Sequence, residues 1–457
     1  MLPHCTQFSS GPKKEIHTVV IGLDFGTSSS KVVVNNQTAN VAYAIPFHNL
    51  GHPSNKYLLP TRPYFDREGK FCLSSVHDGM PLRELKATLM DKNPNNFEFD
   101  NEKELEASAE LLTMAYLAKV IQFSRQWYLA NQHKAFSHTK ISWQLNIGVP
   151  SIGKEFNVKK NLFKQLATGA WWLSIQLGNI TIESAKKASK DLGNGALAFA
   201  DIHSDDINAL PEVVAEVIGY AKSNERNNGL HFLVDIGAST VDISSFVLGL
   251  ERGSDRYSIL TGDVAWLGAF ELHKHRINNI KNRITEWLDH LGKNEDPVSP
   301  IPIDAEGYLP NKGNLNIKRN REIDDQMFKS CCQLIRKTII DVRKKRDPKS
   351  PKWKSGISLF ICGGGSQVSF YEDVISNIND FLVNGNLSPL KPLALPIPNN
   401  LNLGDLDKND FHRLAVAYGL SFPEYDMGTI YPPDEIEDIP KGKRSDHEVR
   451  FVDKDHV

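Results

Sequence analysis

Two stretches of the chain combine residue types that together can handle a phosphate-like anion. "VVIGLDFGTSSSKVVV", Val19 to Val34, is an apolar strand that breaks at Asp24 and Gly26, passes through Thr27, Ser28, Ser29 and Ser30, and turns apolar again. About 210 residues later "FLVDIGASTVDISSFVL" repeats the pattern: Asp235, Gly237, small or hydroxylated residues through Thr240, then a strand carrying Asp242. Gly26 and Gly237 are expected to supply positive φ and to let backbone N–H groups approach an oxygen with no Cβ in the way. Successive N–H groups in such a turn form an anion-binding nest, to which the hydroxyls add donors. A bare carboxylate beside the nest would repel phosphate, so Asp24 and Asp235 make sense with Mg²⁺ between, reached mostly through water.

One such turn alone is ordinary hairpin chemistry, because Asp, Gly, Ser and Thr are common turn formers. Two copies at matched spacing imply two related half-domains, each presenting a tight turn. A third element follows in order: "LFICGGGSQV" ends a buried strand in Gly363, Gly364, Gly365 and Ser366, where a flat ring could lie against bare backbone. Competing signatures fail. No G-x-x-x-x-G-K-S/T loop is present, and "GNGALA" at Gly193 to Ala198 follows the charged helical stretch "AKKASKDL" rather than the strand a dinucleotide fingerprint requires.

The elements that must position these turns read as alternating strands and helices, the α/β class. "VVIGLDFG", "KVVV", "ISWQLNIGVP", "HFLVDIGA", "VDISSFVL" and "ISLFICGGG" have strand patterning. Leu105, Ala109, Leu112, Tyr116, Val120, Phe123 and Trp127 recur at steps of three and four, as do Phe328, Cys331, Ile335, Ile339 and Val342, so two helices have an apolar face turned to a core. With 457 residues, 40% of them hydrophobic, the chain can bury a large core divided over more than one unit. A net charge of -2 gives no whole-chain attraction to nucleic acid or an anionic membrane, and neither is expected as a partner. "RKKRDPKSPKWK", from Arg343, reads as a solvated helix end stopped by Pro348, its cations complementing the helix dipole. Cys5, Cys72, Cys331, Cys332 and Cys362 are odd in number and lack zinc or disulfide spacing, and no apolar run suits a signal peptide or a membrane span. A cytoplasmic protein is the expectation.

Strand-DFGTSSS, strand-DIGASTVD and ICGGGS, in this order and at these separations, resemble the superfamily of actin, sugar kinases and heat-shock chaperone ATPases. Within it the chain most resembles the nucleotide-binding domain of the 70-kilodalton heat-shock protein family, through "LPTRPYFDREGK", "NIGVPS", "LPEVVAEVIGYA", "GDVAWLGAFEL" and "LAVAYGL" as well. The resemblance runs from His17 to Phe422 and implies a two-lobed actin-like fold of two ribonuclease-H-like halves around a nucleotide cleft: a first lobe over 17–214, a second over 215–422, a flexible N-terminus before and a charged tail over 423–457. It implies ATP and Mg²⁺ as ligands. Asp24 and Asp242 would hold the hydrated metal; Gly26, Thr27 and Ser28 would bind phosphates on one side, with Asp235, Gly237 and Thr240 on the other; Gly364, Gly365 and Ser366 would meet the base. Lys86 falls on the family's catalytic lysine, Glu212 on the glutamate that orients the attacking water, and Pro150 on its Val-Pro signal between lobes.

The departures matter as much. Ala238 and Ser239 stand where the family has glycines, Val368 stands at its adenine-stacking arginine, and the segment from Phe270 to Arg321 is shorter than its counterpart. Extra residues between Pro150 and Glu212 include the pair Trp171 and Trp172, read as packing. The family's peptide-binding domain has no counterpart. The resemblance therefore implies an ATP-hydrolysing switch acting on a protein partner; a polymerising filament ATPase, a nucleotide-sensing pseudo-ATPase and a small-molecule kinase are the alternatives.

Overall fold

The structure of the protein, a computed structural model, describes residues 15–438 except 53–54, 67, 76–78, 83–84, 91–107, 133–138, 151–155, 177, 198–200, 282–300 and 309–316. Leu105 and most of the segment between Phe270 and Arg321 lie outside the described residues. In chain order the strands are β1 (Glu15–Phe25), β2 (Ser29–Asn36), β3 (Val41–Ala44), β4 (Leu59–Pro60), β5 (Tyr64–Phe65), β6 (Phe71–Cys72), β7 (Met80–Pro81), β8 (Thr139–Val149), β9 (Ile207–Pro211), β10 (Gly229–Ile236), β11 (Val241–Glu251), β12 (Ser254–Ala265), β13 (Ile357–Cys362), β14 (Leu390–Leu393), β15 (Leu401–Asn402) and β16 (Thr429–Tyr431). The fold is mixed α/β.

Two large sheets repeat one topology. The first has the order β15-β3-β2-β1-β8-β9, with β4 added to β2; the second has β16-β12-β11-β10-β13-β14. Followed in those directions, both run parallel, antiparallel, antiparallel, parallel, parallel. The repeat visible in the two Asp-x-Gly turns therefore extends to whole sheets, since each turn is the β-hairpin at the centre of its sheet.

β1 is a continuous apolar run because it is covered on both faces: Val19, Val20, Ile21, Leu23 and Phe25 are all buried. The helices Ala109–Gln132 and Phe156–Ile175 share one core with the first sheet, and Ile317–Asp341 and Ser369–Asn384 share another with the second. On the other faces, the Glu212–Ala221 helix places Val213 and Val217 against Leu233 and Phe246, while the Ala415–Leu420 helix places Ala415 and Tyr418 against Val33 and Ala42. These two helices also pack on each other, with Ala215 and Ile218 joined to Leu420, and so form the layer linking the sheets.

The chain ends its course in an order the sequence does not announce. After β14 it crosses to the first sheet for β15 and the Ala415–Leu420 helix, then returns to add β16 to the second. The expected tail from residue 423 is thus part of the fold as far as the described residues reach, and β1 already begins at Glu15 rather than at 17. The cations after residue 342 are engaged rather than solvated at two points. Arg343 lies over the Trp353 ring, 5.6 Å from its centroid, and Arg346 donates to the carbonyls of Pro433 and Ile436 and pairs with Asp438 at 3.0 Å. Trp171 is core, beside Trp143 and beneath the Arg125 guanidinium.

Candidate functional site

Asp24 lies near the end of β1 and faces Lys31 across the hairpin; Lys31 Nζ donates to Asp24 Oδ2 over 2.9 Å. In the second sheet Asp235 of β10 faces Asp242 of β11 in the equivalent way, and Thr240 Oγ1 donates to Asp242 Oδ2 over 2.7 Å. Both turns open into one cavity of about 940 Å³ lined by Asp24, Gly26, Thr27, Ser28, Asp235, Gly237, Thr240 and Asp242, and also by Lys86, Pro150, Glu212, Gly364 and Gly365. That size suits a drug-sized or nucleotide-sized ligand. Of the residues to which the resemblance gives a role only Ser366 is not in the lining; its hydroxyl donates to the Gly363 carbonyl over 2.8 Å and braces the glycine turn.

The turns achieve their openness differently from the expectation. Neither Gly26 nor Gly237 has positive φ. What Gly26 needs is room, because a Cβ there would stand 2.4 Å from the Ser29 carbonyl. The carbonyls are tied back into the protein: Gly26 O accepts from Thr61 Oγ1 and Ser28 O from Thr61 N, while Gly237, Ala238 and Ser239 accept from the amides of Ala269, Phe270 and Gly268. Among the described residues no acceptor meets the amides of Thr27, Ser28, Ala238 or Ser239. A loop whose carbonyls are held away and whose N–H groups lack partners has the donor arrangement of an anion nest. Ala238 lines the cavity and Ser239 is buried behind it, so the missing glycines leave the second turn in contact with the opening.

Lys86 sits near the start of the short Leu85–Met90 helix and is buried; its Nζ donates to Glu212 Oε1 over 3.1 Å. Burial works against its charge, but Glu212, Asp24 and Asp242 outweigh it and raise its pKa above the ordinary lysine value. Burial also pushes the Glu212 carboxyl up against the pull of Lys86, and it raises Asp242 against the bond from Thr240. Asp235 is pushed up to about 7, first by burial and then by the like charge of Asp242. Burial leads each of these carboxylate shifts; like charges add to it at Glu212 and Asp235, and Lys86 opposes it at Glu212 and Asp242.

The glycine turn after β13 holds a surprise. A Cβ on Gly363, which has φ +80°, would stand 2.1 Å from Asp235 Oδ1, and one on Gly364 would lie 3.2–3.5 Å from Nη2, Cζ and Nε of Arg413. Gly365 faces inward onto Ile236 and Ala269. The bare backbone read as a resting place for a flat ring is already used by the protein's own side chains.

Sequence reading missed four residues here. Lys31 and Lys159 line the cavity, Arg413 does too, and Glu216 is buried one turn along the helix from Glu212. Lys31 had a signal, for it follows Asp24 by the same interval at which Asp242 follows Asp235. Burial, then the Asp235 charge, raises Glu216 well above the usual carboxylate range, against a hydrogen bond from Cys362. Among the described residues no group of three or more His, Cys, Asp or Glu side chains is arranged to hold a metal ion directly. No family model matches the chain, and no curated protein matches it.

Proposed function

We propose that the chain is a Mg-ATP-binding and ATP-hydrolysing protein with the two-lobed actin-like fold of the heat-shock-70 type, and that it serves as a nucleotide-dependent switch for a protein partner. One observation carries the reading: a sheet built twice presents the same Asp-x-Gly turn twice, with carbonyls tied back and amides open, to a single cavity shared by both sheets. The unpartnered amides of Thr27 and Ser28 would hold phosphate oxygens from one side and that of Ala238 from the other, as oxyanions are held at any backbone nest. Asp24 and Asp242 would hold Mg²⁺ through its water shell. Bound magnesium would supply charge neutralisation on the phosphate oxygens.

Lys86, kept charged by three carboxylates, would stabilise negative charge at the γ-phosphate, and the Glu212 carboxylate would accept a hydrogen bond from the attacking water. Phosphoryl transfer asks chiefly for this positioning and neutralisation. A ligand gripped from both sheets favours the closed spacing of the two halves, and losing its terminal phosphate removes part of that preference. Calorimetric titration with ATP, with and without Mg²⁺, tests binding, and phosphate release without an added acceptor tests hydrolysis. Absence of ATP binding sinks the proposal; binding without phosphate release leaves a nucleotide sensor; release that needs an acceptor leaves a kinase.

A further inference from the structure

Arg413 lines the cavity on the side of the glycine turn. It closes the short 3₁₀ segment Lys408–Arg413, just before the Ala415–Leu420 helix that packs on the first sheet, yet its guanidinium reaches the glycine turn of the second. Nη2, Cζ and Nε stand at nearly equal distances, 3.2, 3.5 and 3.5 Å, from the point a Gly364 Cβ would occupy, so the guanidinium lies flat over that residue. A Cβ at 364 would touch it and push Nη2 back by a few tenths of an ångström. Among the described residues no acceptor bonds to this guanidinium and no carboxylate pairs with it, and its Nε is both buried and unpartnered.

A cation taken out of water with no bonded anion is costly, and burial presses the Arg413 pKa down despite the field of Asp410. A ligand group that meets the guanidinium would offset part of that cost. One face of the guanidinium is turned to Gly364, and the residue lines the cavity, where a planar ligand group would meet a planar cation. Val368, on the same turn, cannot provide one, since it is an alkyl side chain and buried.

We infer that Arg413 is the base-stacking residue of this site: the purine ring of the nucleotide lies on the outer face of its guanidinium rather than on bare glycine backbone. The inference rests on the proposed nucleotide-binding function and specifies the platform for its base. Because a guanidinium stacks on any aromatic face, the site takes purine nucleoside triphosphates with weak discrimination between adenine and guanine.

The test compares the full chain with its Arg413→Met and Arg413→Lys variants, titrated with Mg-ATP, Mg-GTP and inorganic tripolyphosphate. Stacking predicts Kd for both nucleotides about 10-fold higher in Arg413→Met, the size of a partly desolvated cation–π contact. Lysine, a point charge without the plane, should recover only part of that. Tripolyphosphate, which has no base, should bind all three proteins equally, and its binding shows that the variants are folded. Unchanged nucleotide affinity in both variants overturns the inference while leaving the function standing. Equal weakening toward tripolyphosphate overturns it too, by making Arg413 a phosphate ligand. If the parent binds tripolyphosphate but neither nucleotide, the functional reading falls with it.

Discussion

Lys86 Nζ and Glu212 Oε1 meet at 3.1 Å across the cavity, joining a short helix that follows β7 to the first residue of the helix that follows β9. Their side chains are 10% and 19% exposed, so removing one partner strands a poorly solvated charge. Lys86→Met and Glu212→Gln should each destabilise the ligand-free protein by roughly 1–3 kcal/mol, a buried-pair cost reduced for the open cavity. The double variant should lose less than the sum. Single-turnover hydrolysis should fall about 10²-fold or more in each while the ATP Kd changes much less, because positioning and charge stabilisation act in the transition state. Parental turnover in both single variants would remove these residues from the chemistry.

Asp24 has two demands on it, the ion pair with Lys31 and the proposed water shell of Mg²⁺. In Asp24→Asn the amide cannot neutralise either cation. The Mg²⁺ concentration that half-saturates ATP binding should rise about 10- to 100-fold, the usual effect of removing an outer-shell carboxylate. Titrating Mg²⁺ at fixed ATP measures it, and an unchanged midpoint would show that the first hairpin does not hold the metal.

How much of this was legible in the sequence depended on whether the signal was local. Asp24, Gly26, Asp235, Gly237 and the strands around them are set by residue type and by short apolar runs over a few positions, so both hairpins are legible. Lys31 is legible only when the two copies are compared position by position. Arg413 is not, because its partner Gly364 is about 50 residues away and nothing in "DFHRLAV" marks a residue aimed at a cavity. β15 and β16 were invisible for a related reason: strands of two and three residues carry no period, and they form only because the chain recrosses between finished sheet edges. The positive φ expected at Gly26 and Gly237 failed because these glycines are there for closeness to neighbouring carbonyls, which a sequence cannot distinguish from a left-handed turn.

His231 of β10 is stacked between Phe246 and Phe360, at 5.2 and 5.9 Å with interplanar angles of 7° and 9°. Burial pushes its pKa down to about 4, against the bond between Nδ1 and the Gly229 carbonyl, which favours the protonated ring. The unfolded chain then takes up this proton before the folded one does. The neutral ring contributes stability that is complete above about 6.5 and is lost as pH falls from there through 4, at up to about 1.4 kcal/mol per pH unit. His273, also depressed to about 4 by burial, adds in the same direction. His231→Phe keeps the stack and leaves Tyr220 Oη its bond from Asn227 N, so its urea midpoint should fall less steeply with acid than the parent's. Parallel curves would show that this ring is not what the acid limb reports.

Arg346 clasps the returning chain. It donates to the carbonyls of Pro433 and Ile436 and pairs with Asp438, just beyond the three residues of β16. The Asp438 side chain is 59% exposed, so that ion pair should contribute little, and the two carbonyl bonds carry the effect. A charged donor to a neutral acceptor is worth about 1.5–3 kcal/mol net, reduced here by partial exposure. Arg346→Ala should speed amide exchange across Thr429–Tyr431 while leaving β10 and β11 protected, because local opening at a sheet edge need not involve the centre. Arg346→Lys should restore little, since one ammonium cannot reproduce the guanidinium fork. Parental exchange at Ile430 in Arg346→Ala would mean that pairing with β12 holds β16 without the clasp.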